Sequence, residues 1–370
     1  MQALNFAPTH RFRVIFTRTD NHLKSMRKAL FVLLLLIGVN HPAPAQPPAA
    51  TYFEQAYSEI AAMLDDQDSV NLKRAVFLQE WAYLDGNLDY KAYCHEIDSI
   101  ATSLKGFIAL NHLDRSPIGG NIALFEFFSN PNPLNGYKSY DYDFDDYRGK
   151  KDHTKHFVTK LMRTHTGQCR SLPLFYKILA NEIGAKAYIT YAPNHSFIRH
   201  RDEQDTRWIN VELTNHSMPR EVFIIETMGI TQEAIDKGTY LKPCEDREVV
   251  INVMVELAMT YLEKFDYIDP FVWKCLNTVY HFDPQNLIAL MTANDCLYRI
   301  ASQHRAMLTE KGIDDDEVMQ HLKKQLQEIN KEIDATGYTD MPKHLYDEWV
   351  KSMQQEIERR KQENNITHKP

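Results

Sequence analysis

One proline constrains this chain more than any other residue. Residues 169–183 read CRSLPLFYKILANEI, with Leu172, Phe175, Leu179 and Ile183 on one helical stripe. Proline lacks an N–H and is tolerated only in a first helical turn, so Pro173 fixes where this helix begins. Gly184 is placed to end it. Cys169 therefore reads as the residue at a helix N-terminus. Three strand-like runs follow: 187–192 (AYITYA), 196–199, and 208–213 (WINVEL). The charged stretch 200–207 reads as the hairpin turn between the last two. Helix, then antiparallel ribbon, predicts an α+β core over residues 111–245.

That order carries chemistry. A thiol attacks carbonyls only as thiolate, and a helix N-terminus stabilises the anion through its unsatisfied N–H groups and dipole. A neighbouring histidine activates the thiol and later protonates the leaving group. A third polar group fixes the ring's tautomer and steadies its charge. The sequence offers Cys169 as nucleophile, His195 leading a strand as base and acid, and Glu212 on the next strand as orienting carboxylate. Adjacent antiparallel strands can bring His195 and Glu212 side by side. Asn210, two residues earlier on the same strand face, is the alternative orienting group. Gln168 either lines an oxyanion site with the Cys169 N–H or caps the turn. A G-x-S-x-G elbow, a phosphate-binding loop and H-E-x-x-H are absent from the sequence.

Three short motifs carry a resemblance. Thr166-Gly167-Gln168-Cys169 resembles the G-Q-C motif of the transglutaminase-like superfamily. Asn194-His195-Ser196-Phe197 is similar to its histidine strand, and Trp208-Ile209-Asn210-Val211-Glu212-Leu213-Thr214 to its W-x-x-x-D-x-T strand. Glu212 then stands where the family carries aspartate, one methylene longer. Within the superfamily the chain resembles the bacterial SirB-type group, which joins such a core to tetratricopeptide repeats. Leu88-Asp89-Tyr90, Ile97-Asp98-Ser99-Ile100-Ala101 and Arg170-Ser171-Leu172-Pro173 carry that likeness, over roughly residues 70–300. The resemblance implies a transglutaminase-like (papain-like) cysteine-nucleophile core. It also implies acyl transfer or amide hydrolysis through a thioester, with a protein or peptide substrate and no cofactor. The opposing expectation is a catalytically degenerate fold that binds proteins or ligands as a scaffold.

The flanking segments read as helical. Residues 46–110 form a lead-in, with Ala56, Ile60, Met63 and Leu64, then Leu72, Val76 and Leu78, then Tyr93, Ile97 and Leu104 at helical spacing. Residues 115–152 are rich in turn formers and read as irregular. The stretch 137–147 (YKSYDYDFDDY) reads as a surface loop or a wall of the cleft. As a calcium loop it lacks glycine at Asp146 and a terminal glutamate. His153, His156 and His165 lack a second pair at zinc spacing, so no metal site is expected. Residues 246–310 resemble tetratricopeptide-like repeats, Ala258 and Ala293 standing close to one ~34-residue period apart. That region is expected to be separable, with an accessible linker around 239–248. Residues 311–370 form a charged helical tail that caps the array or binds a protein partner.

The N-terminus reads as an export signal. Arg27 and Lys28 precede the apolar run 29–39, and Ala43-Pro44-Ala45 offers a cleavage site before Gln46. The run is too short to span a bilayer, which takes ~20 apolar residues. Residues 1–45 are therefore expected as a removable signal, with Met26 as the true start and no stable membrane insertion afterwards. The expected location is periplasmic or extracellular. Without the six Lys/Arg and one Asp of residues 1–45, 36 basic and 49 acidic side chains remain, net −13. Such a balance carries no basic footprint for nucleic acid. Five cysteines, an odd number with no C-x-x-C pair, leave at least one thiol unpaired. N-terminal sequencing of the secreted chain is expected to read from Gln46; recovery of residues 1–45 on the mature protein contradicts this.

Overall fold

The computed structural model describes residues 50–146 and 150–367, and the expected signal segment lies outside them. Three helices open the described chain: α1 (Ala50–Leu64), α2 (Leu72–Tyr83) and α3 (Tyr90–Leu110). Short polar side chains start two of them. Asn71 accepts from Arg74 N–H, and Asp89 accepts from Lys91 and Ala92 N–H, satisfying donors the helices leave open.

The next segment departs from the sequence reading. Residues 119–129 form a helix, α4 (Gly119–Ser129), where turn-forming residues suggested irregular chain. The glycines serve close approach here. A Cβ on Gly119 would lie 1.9 Å from the Leu113 carbonyl oxygen, and one on Gly120 2.7 Å from the Ala185 side chain. Asn121 continues the contact, donating to the Lys186 carbonyl and binding Tyr176 Oη.

The core follows. Strand β1 (Asp141–Tyr142) pairs in parallel with β2 (Thr166–Gly167), with α5 (Val158–Thr164) between them in the chain. Helix α6 (Ser171–Ile183) keeps Pro173 in its first turn and ends on Gly184 in the left-handed region at φ 78°. It packs against α3, α4, α5 and the ribbon that comes next. That ribbon is antiparallel, in the order β3 (Tyr188–Ala192), β4 (His195–Arg201), β5 (Trp208–Val211). Ala192 pairs with His195, so Pro193 and Asn194 alone make the turn, Asn194 at φ 54°. Strand β4 runs through Arg201, which shortens the expected second turn to 202–207. Among the described residues the protein is mixed α+β, mostly helical, with small sheets.

Eight-residue α7 (Glu221–Met228) and short α8 (Gln232–Asp236) lead to α9 (Asp246–Phe265) and α10 (Pro270–Phe282). These two helices do not stand apart as the repeat reading expected. Phe53 of α1 is fully buried and meets the rings of Tyr261, Phe265 and Phe271 at 5.2–6.0 Å. Tyr57 Oη binds Thr278 Oγ1 at 2.8 Å, and Lys264 pairs with Asp85 at 2.6 Å. The expected linker is tied down as well. Leu241 N–H donates to the Tyr191 carbonyl and Cys244 N–H to the Ile189 carbonyl, so this stretch lines β3. Apolar side chains of 240–241 decided that outcome: Tyr240 and Leu241 bury themselves with Ala192, Phe197, Ile224 and Ile230.

The remaining helices are α11 (Leu287–Glu310), α12 (Glu317–Ala335) and α13 (Lys343–Thr367). Asp295–Ile329 belongs to one compact unit, and Pro48–Asn294 with Asn330–Pro370 to the other. Within Asp295–Ile329, His304 Nε2 meets Asp316 at 2.9 Å and Lys323 pairs with Asp315 at 2.8 Å. In the larger unit, the Thr336 and Gly337 carbonyls accept from Thr239 and Thr231 hydroxyls. Part of the expected tail is thus docked on the ribbon's own core. Burial of a phenyl ring in such a cluster is worth about 3–5 kcal/mol on truncation. Phe53→Ala should lower unfolding free energy by about that amount in urea titration; a loss under 1 kcal/mol would mean α1 does not share a core with α9.

Candidate active site

Cys169 lies in the turn between β2 and α6. The helix begins at Ser171 with Arg170 as N-cap, so the cysteine precedes it by two residues instead of opening it. Pro173 can occupy the first turn only if the chain enters the helix just before it. Gly167 makes the turn tight, since a Cβ there would fall 2.5 Å from Ser171 Oγ. That hydroxyl accepts from Gln168 N–H at 3.0 Å. Gln168 is buried, and its Nε2 donates to the Asp146 carbonyl at 2.8 Å. Its amide is therefore engaged in holding the turn, the second of the two roles expected for it.

His195 begins β4. The turn Pro193–Asn194 brings the Asn194 carbonyl 4.0 Å from Cys169 Sγ. Ser196 Oγ donates to the Cys169 carbonyl at 2.7 Å and ties the two segments together. The imidazole Nε2 lies 2.5 Å from Glu212 Oε2, and the Cys169 thiol is near enough to act on the ring electrostatically. With Nε2 engaged, Nδ1 is the ring nitrogen not committed to Glu212. Glu212 sits one residue past β5 and bridges to Ser217. Its Oε1 accepts from Thr214 N–H at 3.0 Å and from Thr214 Oγ1 at 2.7 Å, which fixes the carboxylate plane. Side-chain exposure is 15% for His195 and 11% for Glu212.

Charge and burial oppose each other here. Burial alone would lower His195; the Glu212 charge, the thiol contact and the carboxylate hydrogen bond outweigh it and hold the imidazole well above its ordinary value. Burial would raise Glu212; the His195 charge and the His195 and Thr214 hydrogen bonds outweigh it and lower the carboxyl. An imidazolium–carboxylate pair is favoured, the arrangement that leaves a proton available beside the thiol.

Asn210 does not join them. It pairs across the sheet with Arg199, four residues along β4 from His195, and its Nδ2 donates to the Pro219 carbonyl at 3.0 Å. The face was read correctly, but distance along the strand favours Glu212. Ser196, Ser171 and Tyr142 are site residues that sequence reasoning passed over. Tyr142 is buried, and that burial, reinforced by the charges of Cys169 and Glu212, raises its hydroxyl strongly, keeping a neutral phenol beside those two residues. The signal for Tyr142 was the aromatic–acidic stretch, one reading of which was a cleft wall. In that stretch Asp143 pairs with Lys155 at 2.6 Å, while the Asp146 carboxylate accepts N–H groups of Lys150, Lys151 and Asp152.

A scan against family models finds no match to this chain, and neither curated proteins nor solved structures give one.

The pair predicts a pH signature. His195 is raised, so its contribution to stability is complete below about 6.5 and is lost as pH climbs through the higher folded value. Glu212 is lowered, so its contribution is complete above about 4.5 and is lost as pH falls through the lower folded value. Both act fully between those limits. Glu212→Gln should cost about 1.5–3 kcal/mol at pH 6, and the gap to wild type should narrow at pH 9. Urea midpoints of both proteins at the two pH values check this; a gap that does not change with pH contradicts the pair.

Proposed function

We propose that this chain is an exported, transglutaminase-like protein that performs cysteine-dependent acyl transfer or amide hydrolysis through a thioester. The observation that carries the reading is the Cys169–His195–Glu212 arrangement: the Glu212 carboxylate lies on His195 Nε2, and the 194–196 segment that carries the imidazole is bonded to Cys169 through Ser196 Oγ and the Asn194 carbonyl. The motif resemblance around residues 166–169, 194–197 and 208–214 supports the same class.

The chemistry follows from the geometry. The Cys169 thiolate attacks an amide carbonyl carbon, and the carbonyl oxygen takes up the displaced electron pair. Collapse expels the amine, which receives its proton from the His195 imidazolium, and leaves an acyl thioester on sulfur. His195, now neutral, accepts a proton from water as the hydroxide forms a bond to the acyl carbon. Thiolate leaves, and a carboxylic acid is released. Glu212 remains ionised throughout and stabilises the imidazolium it faces. With water as acceptor the protein is a peptidase or amidase; with an amine as acceptor it is a transferase. An extracytoplasmic setting makes water the prevailing acceptor. No step calls for a cofactor, and a peptide or protein is the natural source of the amide.

The five thiols provide their own controls. Cys244, Cys275 and Cys296 are buried, and burial pushes Cys244 and Cys296 up to about 12 and Cys275 well above its ordinary value. Cys94 is half-buried like Cys169 and lies within helix α3, away from the His195–Glu212 pair in sequence. Site-resolved alkylation by mass spectrometry at pH 5.5 should modify Cys169 at least tenfold faster than Cys94. His195→Ala should remove that advantage, because partner and general acid go together. Glu212→Gln should reduce turnover of an electrophilic amide probe more than it reduces alkylation. Equal rates at Cys169 and Cys94, unaffected by His195→Ala, would leave a binding scaffold as the function.

A further inference from the structure

Arg170 follows the thiol directly and occupies the N-cap of α6, yet makes no capping bond there. N-caps are usually short side chains that accept hydrogen bonds, and arginine has no acceptor. Its guanidinium instead runs beneath the turn. Nη2 donates to Gln79 Oε1 at 3.1 Å, Nη1 to the His156 carbonyl at 3.2 Å, and Nε pairs with Glu256 Oε1 at 2.9 Å. The side chain is 17% exposed. Its three partners come from α2, from the segment before α5, and from α9. Gln79 is fully buried, and so is Glu80 beside it, which accepts from Val158 and Thr159 N–H at 2.7 and 3.0 Å. The scaffold is therefore fixed around the guanidinium on every side the fork addresses.

We propose that Arg170 is the positioning residue of Cys169, its three-way clamp setting the turn so that the thiol stays in reach of His195. The proposal rests on the reading of Cys169 as nucleophile. Cys169 is then held from three directions: Gln168 by Ser171 and the Asp146 carbonyl, its own carbonyl by Ser196, and the next residue by the clamp. A planar fork with donors in fixed directions can serve three acceptors at once, whereas a lysine ammonium is a point charge on a flexible stem. Displacement of a reacting atom by about 1 Å costs on the order of a hundredfold in rate. The lead-in helix and α9, which carry no catalytic residue, thereby act on the site through Arg170.

The test is the pH profile of Cys169 alkylation, measured against Cys94 in the same molecules of full-length mature protein. Thermal melts run beside it to show that each variant is folded. Arg170→Ala should lower the Cys169 rate at pH 5.5 by about 10–100-fold. Arg170→Lys, which keeps the charge but not the fork, should fail to restore it. Gln79→Leu, which leaves Arg170 intact and removes one arm, should shift the profile in the same direction, and it stands as the test if Arg170→Ala does not fold. Wild-type profiles in folded Gln79→Leu and Arg170→Ala would overturn the proposal, even with lowered melting temperatures. A wild-type profile in Arg170→Lys would overturn it too, since charge alone would then suffice. Failure of the nucleophile reading looks different: wild-type Cys169 itself would show no acid-side advantage.

Discussion

The site depends on one hydrogen bond between segments far apart in the chain. Ser196 Oγ donates to the Cys169 carbonyl, and through it the start of β4 is tied to the turn before α6. The backbone carbonyl is fixed instead of the sulfur. That leaves Sγ able to rotate about its Cα–Cβ bond while its root stays registered to the 194–196 segment. The two-residue turn at Pro193–Asn194 works in the same sense. It leaves no slack between β3 and β4, and β3 is itself pinned by the 241–244 segment.

Much of this centre was legible because strong local rules agree there. Pro173 dictated the helix start to within two residues, and Gly184 its end. Alternation marked the strands, and period-two geometry put His195 and Glu212 on one face. Rules of the same kind could not choose between Glu212 and Asn210. Both share a face, and the choice turns on the register of β5 against β4, which is a long-range property. Gln168 was ambiguous for a similar reason: its partner, the Asp146 carbonyl, is twenty-two residues away and is a backbone atom with no side-chain signature.

The misreadings share a physical cause. Gly119 and Gly120 look like turn residues, but their lack of a side chain is used to let two pieces of backbone meet. The segment 239–248 looks like a linker, and 336–338 like part of a charged tail, because polar residues surround them. A few apolar anchors, Tyr240, Leu241 and Tyr338, outweigh that local character by joining a core assembled elsewhere. Helix periodicity identified the helices beyond residue 246, but amphipathicity does not name the surface a helix will cover. In α9 and α10 that surface is the lead-in, through Phe53 and Asp85 on α9 and Tyr57 on α10.

The distribution of sulfur has one more consequence. All five cysteines are unpaired, and three are sealed in the interior. No covalent cross-link contributes to holding the described fold, so its cohesion is that of packed side chains and hydrogen bonds alone. Oxidants meet only the two thiols near the surface, and a thiolate is the form that attacks peroxide, taking one oxygen as hydroxide leaves. If Cys169 is the nucleophile, the feature that gives it activity also makes it the residue converted first to sulfenic acid. Loss of function under oxidative stress would then precede loss of structure, with the scaffold intact around a silenced centre.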